Sequence, residues 1–127
     1  MIDVGPREEA CTMKIMLINP PIDSVIEQGN ASPVTSFLFY NSAPLGILYI
    51  AAVLEQEGHE VACIDGAAEL LNVAKTVQRV EEFGPDLIGI GSFTVTFETC
   101  TQLGHALKAA LPSIPIVLGS YHVTLVP

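Results

Sequence analysis

Apolar and polar positions along this chain alternate in two periods, and the switches between them outline the fold. Lys-Ile-Met-Leu-Ile-Asn (14–19) is a nearly continuous apolar run that halts at Pro20-Pro21. It reads as a strand buried on both faces. Residues 44–57 read as a helix, with Pro44 in its first turn and Gly58 just past its end. A second strand follows over Glu60–Ile64 and stops at Asp65-Gly66. Leu70, Val73, Val77 and Val80 recur at helical spacing and predict a helix over 68–83, ended by Gly84-Pro85. Leu87–Gly91 is a third apolar strand. Cys100, Leu103 and Leu107 share one face of a helix over 96–110, and Pro112 and Pro115 bracket the turn into a fourth strand, Ile116–Leu118, which ends at Gly119.

This succession, β-α-β-α-β-α-β with short connections except the first, predicts an α/β fold. The expected architecture is a flavodoxin-like or Rossmann-like three-layer sandwich on a parallel sheet of order 2-1-3-4. Ligands in such sheets sit beyond the carboxyl ends of the strands, at the switch between strands one and three. The loops there are 20–43, 92–96 and 119–124. The first is long, polar and punctuated by Gly29, Asn30 and Pro33, and is expected to be mobile without a ligand. Residues 1–12 are polar and aperiodic and read as a disordered tail, so that the fold spans 13–127. Tyr121 to Pro127 starts an element without completing it. Neither a helix nor a fifth strand is predicted after strand four. The expectation is a domain truncated from a longer protein, with strand four as an open edge suited to homodimerisation.

Composition narrows the function. Half the residues are hydrophobic and only 15% are charged, which suits strands apolar on both sides. The net charge is −9 with five Lys and Arg in total, too few for a phosphate-tracking stripe, so nucleic acid is not an expected partner. No apolar run reaches the roughly 18 residues of a membrane span, and the N-terminus lacks the pattern of a signal peptide. A cytoplasmic location is the default. Cys11, Cys63 and Cys100 fit neither a zinc knuckle nor an iron–sulfur loop. Cys63 falls in a strand and Cys100 on an apolar helix face, where both read as small buried hydrophobes.

Several familiar chemistries are absent. A dinucleotide site needs a Gly-rich turn directly after strand one, where this chain has Asn19-Pro20-Pro21. Asp65 then reads as a turn or cap residue. No P-loop and no Ser/Thr-rich phosphate turn is present, and Ser92 stands where a phosphorelay receiver would need a carboxylate. What remains at the strand ends is Ser92, Thr94 and Thr96 after strand three, and Gly119, Ser120 and His122 after strand four. Hydroxyls and backbone N–H groups of this kind suit a large neutral or amide-bearing ligand. Thr96 is open to two roles, as the cap of the following helix or as part of the site. His59 starts a strand and reads as structural, and His105 lies away from Leu103 and Leu107 and reads as solvated. His122 is the histidine at the ligand-binding edge.

Four segments, Lys14–Pro21, Pro44–Asp65, Pro85–Thr94 and Ile114–Thr124, carry Asn-Pro-Pro, Pro-Leu-Gly-x-x-Tyr-x-Ala-x-x-Leu with Gly-His-x-Val, Pro-Asp-x-x-Gly-x-Gly-Ser, and Val-x-Gly-x-x-His-x-Thr. In order and spacing they resemble the N-terminal cobalamin-binding domain of radical S-adenosylmethionine enzymes, the group of the anaerobic oxidative cyclase of chlorophyll synthesis. The resemblance implies a corrinoid over the carboxyl edge of the sheet. Asn19, Pro20, Pro21, Ser92, Thr94, Thr96, Gly119, Ser120 and His122 would form the binding site. It also implies a non-catalytic module that partners a downstream radical domain, with S-adenosylmethionine and a 4Fe-4S cluster confined to that domain.

Two positions depart from the pattern. The cobalt-ligating Asp-x-His-x-x-Gly of other cobalamin domains is missing, as it usually is in this group, so no metal ligand is assigned. Ser120 stands where the group usually has a second glycine. The nucleotide tail is expected between the loops after strands three and four, against Ser92, Thr94, Gly119 and Ser120. Ser92 and Gly119 are expected past the strand ends and outside the core, so that enlarging either blocks binding and leaves the fold intact. Two rival readings remain: a degenerate docking or dimerisation module that binds no cofactor, and a small-molecule enzyme on the same fold with His122 as its one convergent acid–base group.

Overall fold

A computed structural model of the chain describes residues 11–22, 29, 32–34, 37–38 and 42–126. Most of loop 20–43 and the tail up to residue 10 lie outside these residues, and with them the expectations of a mobile loop and a disordered tail. The elements run β1 (Lys14–Asn19), α1 (Leu45–Gln56), β2 (Glu60–Asp65), α2 (Val73–Phe83), β3 (Leu87–Gly91), a 3-10 turn (Thr94–Thr96), α3 (Phe97–Ala110), β4 (Ile116–Gly119) and α4 (Tyr121–Leu125). The sheet has the predicted order, β2-β1-β3-β4, and all three pairings are parallel.

Alternation along the strands sorts the core into two unequal halves. Met16 and Ile18 of β1, Ile64 of β2, and Ile88 and Ile90 of β3 pack with Val80 of α2 and Cys100, Leu103 and Leu107 of α3. Each such aliphatic side chain contributes roughly 1.5–3 kcal/mol on burial, so this face carries most of the stability. Ile15 and Leu17 point the other way and pack against Ala51, Ile47 and Leu54 of α1. The asymmetry follows from the topology. Crossing from β1 to β2, α1 contacts those two strands, while α2 and α3 lie together on the opposite face. On the α1 side, β3 and β4 are therefore left without a covering helix among the described residues. α1 is itself apolar nearly all round, with Leu45, Leu48, Tyr49, Ile50 and Val53 exposed, an unusual pattern for a helix facing water.

Two elements differ from the sequence-based expectation. The helix predicted over 68–83 starts only at Val73. Asp65 organises the preceding residues into turns. Its carboxylate accepts from Ala68 N–H at 3.2 Å, its carbonyl accepts from Glu69 N–H at 2.9 Å, and Leu70 adopts φ 52°. Asn72 then caps α2 by accepting from Lys75 N–H at 2.9 Å. Leu70 is consequently 70% exposed, not on the buried face of a helix. Beyond β4, where no helix was predicted, one helical turn forms over Tyr121–Leu125, held by Val126 N–H donating to His122 O at 2.8 Å. Gly84 closes α2 as predicted, at φ 64° with its N–H on Val80 O.

Candidate cofactor-binding cleft

The uncovered half of the sheet forms a cavity of about 740 Å³ between α1 and strands β1, β3 and β4, within the range of small-molecule sites. Its floor is made by the outward positions of three strands: Ile15 and Leu17, then Leu87, Gly89 and Gly91, then Val117 and Gly119. One wall is Pro44, Ile47, Ile50 and Leu54. The register sets Gly91 directly beside Gly119, so the floor at the carboxyl end is bare backbone. A methyl group at Gly89 would come within 2.8 Å of Leu17 Cδ2, and one at Gly91 within 3.3 Å of Ile47 Cδ1. At Gly119 a methyl group would meet no protein atom within 4 Å and would project into open space. These glycines give a flat, apolar trough where backbone can approach a ligand closely.

The sequence-derived site residues divide between the cleft and its support. Asn19, Thr96, Gly119 and Ser120 line the cleft. Pro20 and Pro21 do not; both are fully buried. They pack against Gly66, where a Cβ would fall 2.7 Å from Pro21 N and 2.9 Å from Asn19 O. The two prolines thus seal the end of β1 against the turn after β2, behind the residues that line the cleft. Asn19 is half engaged in the same junction, donating from Nδ2 to Asp65 Oδ1 at 2.8 Å. Asp65 is accordingly a turn residue, as its sequence context indicates.

Thr96 occupies the N-cap position of α3 but its side chain does not cap that helix. Its Oγ1 instead accepts from Phe93 N–H at 3.2 Å and lies 3.2 Å from Phe93 O, which tightens the turn after β3. Thr94 and His122 do not line the cleft. They meet each other, with His122 Nδ1 3.3 Å from Thr94 Oγ1, and the imidazole lies on the Phe97 ring at a centroid distance of 4.1 Å. His122 therefore joins the segments after β3 and β4. His59 is structural as expected, its Nδ1 accepting from Met13 N–H at 3.2 Å.

Ser92 is the informative case. It is fully buried, so it is not outside the core, and enlarging it would overpack the interior. Strand alternation turns its side chain away from the floor set by Gly89 and Gly91, toward α3. There its Oγ has no hydrogen bond of acceptable geometry. The Cys100 thiol is close enough to feel the hydroxyl, but a thiol is a weak partner and leaves the serine unsatisfied. Burial pushes the Cys100 thiol up from its ordinary value, while the Ser92 and Thr96 hydroxyls pull it partly back. Cys63 is also raised, first by burial and then by the Glu55 carboxylate. An orphaned buried hydroxyl costs about 1–3 kcal/mol, and this one sits between two cleft-lining residues, Gly91 and Phe93.

Ser120 has φ 83° and ψ −175°, a backbone region occupied almost entirely by glycine and costing another residue on the order of 1–3 kcal/mol. Sequence reasoning marked Ser120 by its departure from a glycine pattern, and the dihedrals supply the physical reason glycine is favoured there. Missed altogether were Gly89, Ile47 and Val117 as cleft residues. Their only signal in sequence was strand alternation combined with the face that α1 leaves bare.

The fold and cleft define a doubly wound α/β domain with a ligand-sized trough reaching the switch point of its sheet. Residues 33–127 match the B12 binding domain family, and the chain belongs to it. The chain is similar to cytidylyl-2-hydroxyethylphosphonate methyltransferase of Streptomyces wedmorensis, 30% identical over 144 aligned positions that cover 98% of this chain and 25% of the relative. It is also similar to anaerobic magnesium-protoporphyrin IX monomethyl ester cyclase of Synechocystis sp., 30% identical over 116 positions that cover 87% of this chain and 22% of the relative. The chain thus spans about a quarter of the length of these relatives. No solved structure matches it with comparable significance.

Proposed function

We propose that the chain binds cobalamin and orients it as the non-catalytic module of a radical S-adenosylmethionine enzyme. The observation that carries this reading is the glycine floor of the cleft at Gly89, Gly91 and Gly119. It admits the flat nucleotide tail of a corrinoid, though not the whole molecule, between bare backbone and the α1 wall. When bound, the corrinoid supplies a cobalt centre able to carry an alkyl group or an electron. This chain's contribution is binding, exclusion of water from the tail, and orientation of the macrocycle at the cleft mouth. His122 acts here through Thr94 and Phe97, fixing the loops that frame the cleft mouth.

Radical chemistry, with its S-adenosylmethionine and iron–sulfur cluster, belongs in this reading to a partner domain, as the resemblance of the segment pattern implies. The relatives' names, a methyltransferase and a cyclase, fit reactions performed by whole proteins of which this chain corresponds to about a quarter. Among the described residues no helix is long and apolar enough to cross a membrane. Purified chain mixed with hydroxocobalamin tests the proposal. Co-elution on gel filtration with a shifted corrin absorption supports it, and free cobalamin at high protein concentration refutes it. A second reading, docking or dimerisation, is favoured by the exposed apolar side of α1 and by the outer edge of β4, unpaired among the described residues.

A further inference from the structure

Ser120 is held in its glycine-type conformation by bonds on both sides. Ser92 N–H donates to Gly119 O at 2.8 Å and His122 N–H donates to Ser92 O at 3.2 Å. Thr124 Oγ1 donates to Ser120 O at 3.0 Å. The backbone is thus fixed by its neighbours whatever side chain stands at position 120. The fold draws no visible return from a serine, because the Ser120 hydroxyl does not cap α4. The residue lines the cleft. Of the other polar side chains on that surface, Asn19 is committed to Asp65 and Thr96 to Phe93, which leaves Ser42 at the α1 end of the cleft and Ser120 at the strand ends.

We infer that Ser120 is a ligand-contacting residue. Its hydroxyl donates a hydrogen bond to an acceptor oxygen in the polar part of the bound cofactor's tail, and the domain retains backbone strain in exchange for affinity. The inference rests on the reading of the cleft as a corrinoid site. It goes beyond that reading in assigning to one side chain opposite effects on stability and on binding.

The test compares wild-type chain, Ser120→Gly and Ser120→Ala in two measurements: thermal unfolding without ligand, and titration with hydroxocobalamin. Ser120→Gly relieves the strain and should melt about 3–5 °C above wild type. Ser120→Ala keeps the strain and should melt with wild type. Both should bind about tenfold more weakly, the loss of one hydrogen bond. Wild-type affinity in either variant overturns the inference while leaving the corrinoid site standing. Absence of binding by wild type itself contradicts the corrinoid reading and removes the inference with it.

Discussion

At the scale of single residues, the cleft depends on side chains that are small or missing. Gly89 and Gly91 leave room between the sheet and α1 that a methyl group would take from Leu17 or Ile47. Gly66 has another duty, admitting Pro20 and Pro21 against the turn after β2. Ser92 separates core from cleft in a measurable way. Ser92→Ala deletes a buried hydroxyl that has no partner, so urea unfolding of the unliganded chain should show stability unchanged or raised by up to about 1 kcal/mol. Cobalamin affinity should not change in the same variant, because Ser92 is not among the residues lining the cleft. A clear loss of stability would mean that the hydroxyl is satisfied within the fold. The polar residues at the strand ends were legible in sequence because hydroxyls stand out against apolar strands. Which way each points was not, since that depends on the parity of a strand position. One residue of offset puts Gly91 on the cleft floor and Ser92 behind it.

At the scale of elements, most boundaries follow from local chemistry. Pro44, Gly58 and Gly84 mark helix ends in the sequence, and the structure places them there. The start of α2 was hidden because Leu70 continues the helical spacing of Val73, Val77 and Val80. Asp65 and Asn72 outcompete that pattern: the aspartate bonds the turn backbone, and the asparagine satisfies the first free N–H groups of α2. Asn72→Ala should therefore cost about 1 kcal/mol in chemical denaturation. Cobalamin affinity should not change, because Asn72 is not among the residues lining the cleft. An unaltered denaturation midpoint would show that tertiary packing alone fixes the start of the helix. The turn of α4 was missed for the opposite reason. Five residues, Tyr121–Leu125, are too few to display a helical period.

At the scale of the whole molecule, sheet order decides where the site lies. One helix on the β1–β2 half and two on the other face leave a bare region over β3 and β4, and the cleft occupies it. The order 2-1-3-4 was readable from the alternation of strands and helices. The lateral extent of the cleft was not, since it depends on how far α1 reaches across the sheet. The same asymmetry leaves apolar surface on α1 and an unpaired outer edge on β4 among the described residues. Sedimentation of the isolated chain should accordingly show concentration-dependent association, and a clean monomer at high concentration would count against it. The central claim is that the glycine-floored cleft receives a corrinoid's nucleotide tail. Its most direct test is parallel titration of the chain with hydroxocobalamin and with cobinamide, which carries the same macrocycle without that tail. The account predicts that hydroxocobalamin binds at least about tenfold more tightly, from the buried tail alone. Equal affinities for the two would contradict it.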